Sequence, residues 1–271
     1  GIPVFNVNNA CASGSSALYL ARRAVMSGMS ECVLAFGFEQ MQPGALGAVY
    51  TDREFSVERH LSALDQMQFE EGIGTLRLFG AAGREYMDKY QASPELFAKI
   101  AVKTRDHAVN NPMSLFSTPL TVEEVMGAKI VYSDSVSRLM CCPPTSGAGA
   151  AIICSKEFAE RHGLDTRVSI IGQEMTTDNE SSWGSAMDAV GADMTRRAST
   201  ALYESTGLGP NDVEVVELHD CFTLNEACTY VARGLCAGGE ATRFVDAGDH
   251  TYGGRVGVIP AGGVLSLGLP M

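Results

Sequence analysis

Apolar positions recur along this chain in two rhythms, and each predicts a different element. Short unbroken apolar runs mark buried strands, whereas apolar residues spaced three and four apart mark helices. Val4, Phe5 and Val7 open the chain as a strand, small residues from Ala10 to Ser16 let it turn sharply, and 17–26 carry helical spacing. A second strand is predicted over 31–40, and the pair with its intervening helix reads as a parallel βαβ connection. From 43 to about 129 the pattern changes to polar loops around two helices, 76–90 and 94–109. Ser93 and Pro94 suit the cap and first position of the second of these. This stretch reads as an insertion lying over the core.

The apolar pattern resumes as strands at 129–132 and 147–154, a helix at 155–162, a strand at 168–172 and a helix at 193–206. A further strand at 212–218 runs directly into His219-Asp220-Cys221, and 224–234 is helical. Strand, polar elbow with a cysteine, then helix therefore occurs twice, at Cys11 and at Cys221, with only slight identity between the copies. If the two halves are related by a pseudo-two-fold axis, both elbows meet in one crevice at strand C-termini, where α/β sheets bind ligands.

Composition narrows the function. The 271 residues, 45% hydrophobic with 29 glycines, are enough for one large core or two medium ones. A net charge of −12 without any basic stripe excludes a nucleic-acid surface, while a local positive patch for an anionic ligand stays open. Eight cysteines, two of them adjacent (Cys141 and Cys142) and the others in apolar runs, fit a reduced compartment better than a disulfide framework. No metal is expected, because neither cysteines nor histidines show zinc-ligand spacing. No apolar run reaches membrane-spanning length. A start at Gly1 rather than Met reads as processing or as a fragment.

Cys11 is the leading candidate for chemistry. At the mouth of a helix, unpaired backbone N–H groups and the positive helix end favour a thiolate, which is how a protein prepares a cysteine to attack a carbonyl carbon. The plain structural alternative is a small buried cysteine at a tight turn. His219 can donate to a thioester oxygen and Cys221 can shuttle a proton. Asp220 either orients His219 or, preferably, caps the helix that follows. Glu226, in that helix's first turn, suits its dipole. Gly253-Gly254 and Gly262-Gly263 make turns or let backbone approach a ligand. Cys32, Cys141, Cys142 and Cys154 read as core or turn residues. Met113, Leu115 and Phe116 either line an acyl channel or pack ordinarily.

Taken together, Asn8-Asn9-Ala10-Cys11-Ala12-Ser13-Gly14, Leu218-His219-Asp220-Cys221-Phe222, Asp249-His-Thr-Tyr-Gly-Gly254 and Pro260-Ala-Gly-Gly263 resemble the sterol carrier protein type of thiolase over essentially the whole chain. His-Asp-Cys-Phe is specific to that branch; other thiolases carry Asn-Glu-Ala-Phe there. The resemblance implies an α/β thiolase fold, two similar βαβαβ-type halves in a layered αβαβα sandwich. The halves fall at 1–154, incomplete at its start and holding the loop insertion at about 43–128, and at 155–271, truncated at its end. It implies reversible cleavage of 3-oxoacyl-CoA by coenzyme A through a cysteine thioester, with no bound cofactor beyond the CoA substrate. Cys11 matches the nucleophile, His219 the oxyanion-hole residue, and Cys221 the cysteine this branch points into the cavity; Gly262, Gly263 and Met113 are expected at the substrate.

Two departures bear on activity. The family's Gly-His-Pro falls on Gly268-Leu269-Pro270, so the histidine that would activate the nucleophile is leucine. Loss of a positioned base lowers rates on the order of a hundredfold to ten-thousandfold. The segment that family members carry before the nucleophile is also missing. Three activities remain: a thiolase-type acyltransferase in fatty-acid or sterol side-chain metabolism, a thiolase-like aldolase that cleaves 3-hydroxyacyl-CoA beside a small partner subunit, and a non-catalytic acyl-CoA-binding protein. A homodimer in the cytoplasm, or in peroxisomes of a eukaryote, completes the expectation.

Overall fold

A computed structural model describes residues 1–42, 52 and 56–269. In chain order its elements are α1 (Ser13–Met26), β1 (Cys32–Glu39), α2 (Glu58–Gln66), α3 (Gly74–Tyr90), α4 (Glu95–Ala108), α5 (Val122–Met126), β2 (Ile130–Tyr132), β3 (Val136–Ser137) and β4 (Gly147–Cys154). There follow α6 (Lys156–Arg161), α7 (Ala186–Ala189), α8 (Ala192–Thr206), β5 (Val215–Val216), α9 (Thr223–Ala232), α10 (Ala241–Asp246), β6 (Gly257–Val258) and α11 (Gly263–Leu267). They form two compact units, one from the described residues of 1–43 and 144–175, the other from those of 44–143 and 176–269. None of the described helices is long and apolar enough to cross a membrane.

In the first unit α1 packs on a two-stranded sheet. β1 and β4 run antiparallel in an unbroken ladder from Cys32 opposite Cys154 to Glu39 opposite Gly147. The expected parallel βαβ unit is not formed. Residues 4–7 and 168–172 belong to no ladder, and Phe5 and Val168 are 85% and 91% exposed. A strand persists only where a neighbour takes its N–H and C=O groups, and no described residue does so for these two segments. The sheet itself keeps a bare apolar face: Leu34, Phe36 and Phe38 stand on one side of β1, with Ile152 opposite Leu34, all mostly exposed.

The second unit owes its core to α3, α4 and α9. Leu78, Ala81, Ala82, Tyr86, Leu96, Phe97, Ile100, Leu224, Ala227 and Tyr230 are all buried in it, and full burial of a large apolar side chain stabilises by about 1.5–3 kcal/mol. α9 approaches α3 closely because position 83 is glycine. A Cβ there would lie 1.8 Å from Leu224 Cδ2. The helix over 94–109 appears as α4, one residue shorter at each end, with Ser93 Oγ accepting from Glu95 N–H (3.2 Å). The strand expected over 212–218 shrinks to β5, which pairs in parallel with β6. Pro210 to Asp212 form a 3-10 turn in its place. The segment expected as a loop insertion packs in one unit with the described residues of 176–269.

Candidate active site

Cys11 sits on a tight turn, as its small neighbours predict. Ala10 adopts φ +45°, a left-handed conformation that costs a non-glycine residue about 1 kcal/mol or more and persists only when its surroundings fix it. They do so here. Ala12 N–H donates to Asn9 O (2.9 Å), and Asn9 N–H donates to Ser13 Oγ, which in turn donates to Ala10 O (2.8 and 2.7 Å). Asn9 Nδ2 donates to buried Ser16 Oγ (3.0 Å). The turn thus leaves Cys11 exposed on its own unit.

At Cys11 burial outweighs the local group that favours a thiolate. The helical residues begin two positions later, at Ser13, with Ala12 as the cap, so Cys11 stands just ahead of the helix's N-terminus. Atoms crowded around the sulfur push the thiol up, and the residue's own N–H, which favours the thiolate, does not offset this.

The second elbow lies between β5 and α9. Asn225 Nδ2 donates to His219 O (2.6 Å), fixing the backbone while His219 Nε2 stays buried without a partner. Burial depresses the imidazole's pKa, which favours the neutral ring with its single N–H donor. Cys221 is buried, and its carbonyl accepts Cys142 N–H (2.8 Å).

Asp220 does not cap the helix that follows it. Its carboxylate accepts the N–H groups of Val264 (2.7 Å) and Leu265 (3.3 Å), so it caps α11 and ties the His219 elbow to the 262–265 turn. Gly263, at φ +56°, leaves room for this, because a Cβ would fall 2.1 Å from Asp220 Oδ2. Gly262 abuts Ala108 in the same manner, at 2.8 Å. Both glycines thus have an internal packing role. Full burial, with Glu226 close by, raises Asp220 to about 7.

Behind the elbow is a cluster of buried polar groups. Lys103 donates to Glu226 Oε1, as does Tyr230 Oη, and all three residues are almost wholly buried. His107 contacts Ile259 O (3.0 Å) and Thr251 Oγ1 (2.7 Å). His250 is buried, and neither ring nitrogen has a partner among the described residues. Sequence reasoning placed Glu226 by its helix dipole and did not single out Lys103, His107 or His250. A signal existed on α4: the stripe Leu96, Ile100, Lys103, His107 keeps helical spacing and continues an apolar face with polar residues.

Leu269, in place of the expected histidine, is 6% exposed and donates its N–H to Pro143 O (3.0 Å). Pro270 lies outside the described residues. Met113 is 80% exposed.

Family models match both parts of the chain, "Thiolase, N-terminal domain" over 1–141 and "Thiolase C-terminal domain-like" over 176–271. The chain belongs to the thiolase family. Sterol carrier protein 2 of Rattus norvegicus is 45% identical over 275 residues, covering 100% of this chain and 50% of the relative. Benzoylsuccinyl-CoA thiolase subunit BbsB of Thauera aromatica is 32% identical over 270 residues, covering 100% of the chain and 67% of that protein. Among solved structures an Ltp2-ChsH2(DUF35) aldolase is similar, with TM-score 0.74 and 25% identity over 94% of this chain and 64% of that one. This thiolase-family chain thus spans about half the length of the sterol carrier protein it matches. The expected thiolase fold stands.

The buried histidines give the family fold here a pH signature. His250 is held at about 3, by burial first and then by Lys103 and His107, and burial depresses His107 and His219 as well. A folded-state pKa below the ordinary 6.5 means stability that is full above about pH 6.5 and lost as pH falls toward 3. Asp220, raised to about 7, acts in the opposite sense over the same range, so the His250 share is read as a difference: from pH 7 to pH 4 the urea midpoint of the wild type is expected to lose ground to that of His250→Phe, and parallel curves would contradict the assignment.

Proposed function

We propose that this chain is a thiolase-type acyltransferase acting on 3-oxoacyl-CoA thioesters of fatty or sterol side-chain acids. Cys11 Sγ, its proton released to solvent, attacks the 3-oxo carbonyl as the thiolate, and the bond between C2 and C3 breaks. The released acetyl-CoA enolate takes a proton from Cys221, and the shortened acyl group remains on Cys11 until a second coenzyme A thiol removes it, returning its proton to Cys221 and leaving Cys11 as the thiolate. Neutral His219 donates a hydrogen bond to the thioester oxygen that gains charge. The observation that carries this reading is Cys11, exposed on a strained and fully bonded turn. His219, with a buried and unpartnered Nε2 beside Cys221, supports it. A homodimer is proposed with it, supported by the bare apolar face of the first unit's sheet, and so is a cytoplasmic setting, peroxisomal in a eukaryote.

One observation favours a second activity. Leu269 can neither accept a proton nor pair with a thiolate, and cleavage of a 3-hydroxyacyl-CoA to a carbonyl product and a CoA enolate requires no acyl-cysteine. The similar aldolase structure supports that alternative, to which a small partner subunit belongs. Incubation with acetyl-CoA followed by peptide mass spectrometry separates the two. An acetyl group on the Cys11 peptide, absent in Cys11→Ala, is expected. An unmodified Cys11 in a protein that cleaves 3-hydroxyacyl-CoA would establish the lyase, and binding of acyl-CoA with neither reaction would make the chain a non-catalytic binder.

A further inference from the structure

The second unit holds a largely buried guanidinium with no ion-pair partner among the described residues. Arg105, on α4, is 8% exposed, and its guanidinium lies over the Phe116 ring with Cζ 4.6 Å from the centroid. No side chain or carbonyl accepts from it among the described residues, and its Nε is fully enclosed without a partner. Burial alone acts on its pKa, downward, and no carboxylate among the described residues opposes it. A guanidinium stays charged in a protein, and an unpaired buried charge is among the most unfavourable arrangements a fold can carry.

Two further polar groups at the same loop are orphaned. Ser114, two residues before Phe116, encloses an unpartnered hydroxyl. So does Ser266, whose carbonyl accepts the Phe116 N–H at 3.0 Å. An arginine fork and two hydroxyls thus border one short segment, and all are donors that suit an oxyanion. Met113 and Leu115 in that segment expose apolar side chains, a surface for a carbon chain rather than for a nucleotide.

We propose that Arg105, with Ser114 and Ser266, receives the terminal carboxylate of a dicarboxylic acyl-CoA, so that the substrate is an ω-carboxyacyl thioester. This rests on the acyl-CoA reading above. A planar fork stacked on an aromatic ring is organised to accept a carboxylate bidentately. Lysine at 105 would keep the charge but not the fork.

Calorimetric titration of the protein with coenzyme A, with glutaryl-CoA and with pentanoyl-CoA, which has the same acyl length, tests it, with succinyl- and adipyl-CoA beside butanoyl- and hexanoyl-CoA setting the reach. The carboxylated ligand of the best length is expected to bind about tenfold to a hundredfold more tightly than its partner, the worth of a charge-assisted pair. Arg105→Met should abolish that preference while leaving pentanoyl-CoA affinity unchanged, and Arg105→Lys should retain part of it. Equal affinities for carboxylated and plain ligands at every length would overturn the proposal while leaving the acyl-CoA reading intact. An equal loss of all ligands, coenzyme A included, in Arg105→Met would also overturn it, because the anion held would then be a phosphate. Failure of coenzyme A and every thioester to bind the folded wild type would remove the acyl-CoA reading as well.

Discussion

Glu226→Leu will lower folding stability by about 3–5 kcal/mol, and adding Lys103→Met will restore most of the loss. Glu226 is wholly enclosed and Lys103 is 5% exposed, so neither charge has water to fall back on. Their mutual attraction, with the Tyr230 hydroxyl on the same carboxylate oxygen and Lys103 Nζ at 3.5 Å from Val258 O, offsets the desolvation of both. Removing one partner leaves the other as an isolated interior charge, and measured penalties for this are about 3–5 kcal/mol. Replacing both by apolar residues of similar volume removes the penalty together with the attraction, and the outcome is often neutral. Urea denaturation of the two single variants and the double variant tests this as a cycle. Additive losses would show that the two residues do not act as a pair.

Gly263→Ala is the second large effect, expected to remove about 2–4 kcal/mol through left-handed strain and overpacking together. At φ +56° an alanine is strained whatever the space, and its methyl carbon would lie 2.1 Å from Asp220 Oδ2. Asp220 cannot yield without giving up the amides of Val264 and Leu265, which it holds as the cap of α11. Displacement therefore passes to its chain neighbours, His219 and Cys221. The urea midpoint should fall, and the ring resonances of His219 should shift in the variant's NMR spectrum. An unchanged midpoint with an unchanged His219 signal would show that the turn is not a clamp on the elbow.

Local features were legible in the sequence, and those that depend on distant partners were not. The turn at Cys11 follows from Ala10 to Ser16, and the ladder residues 32–39 and 147–154 follow from their apolar runs. Which strands pair, and in which direction, depends on neighbours the runs do not name. Val4, Phe5 and Val168 read as strand and stand exposed without a ladder. Asp220 was assigned to the helix beginning three residues later, the nearest on the chain, whereas its partners are 44 and 45 residues away. Cys11 was assigned an acidity that helix position alone does not confer once local crowding is counted. Arg105, Lys103 and His107 escaped notice because a charged residue on a helix is ordinarily solvated, and only the folded chain shows which of them water has left.

The backbone bond from Leu269 to Pro143 does not involve the side chain at 269, and α11 is fastened by Asp220 without help from it. The Leu269 side chain is itself buried in the second unit's core, so backbone anchoring and side-chain packing are set separately at that position. A histidine introduced there would keep the backbone bond but bring a polar ring into an apolar core, where it needs a hydrogen-bond partner, so gaining a proton acceptor at 269 costs stability unless a second residue changes with it.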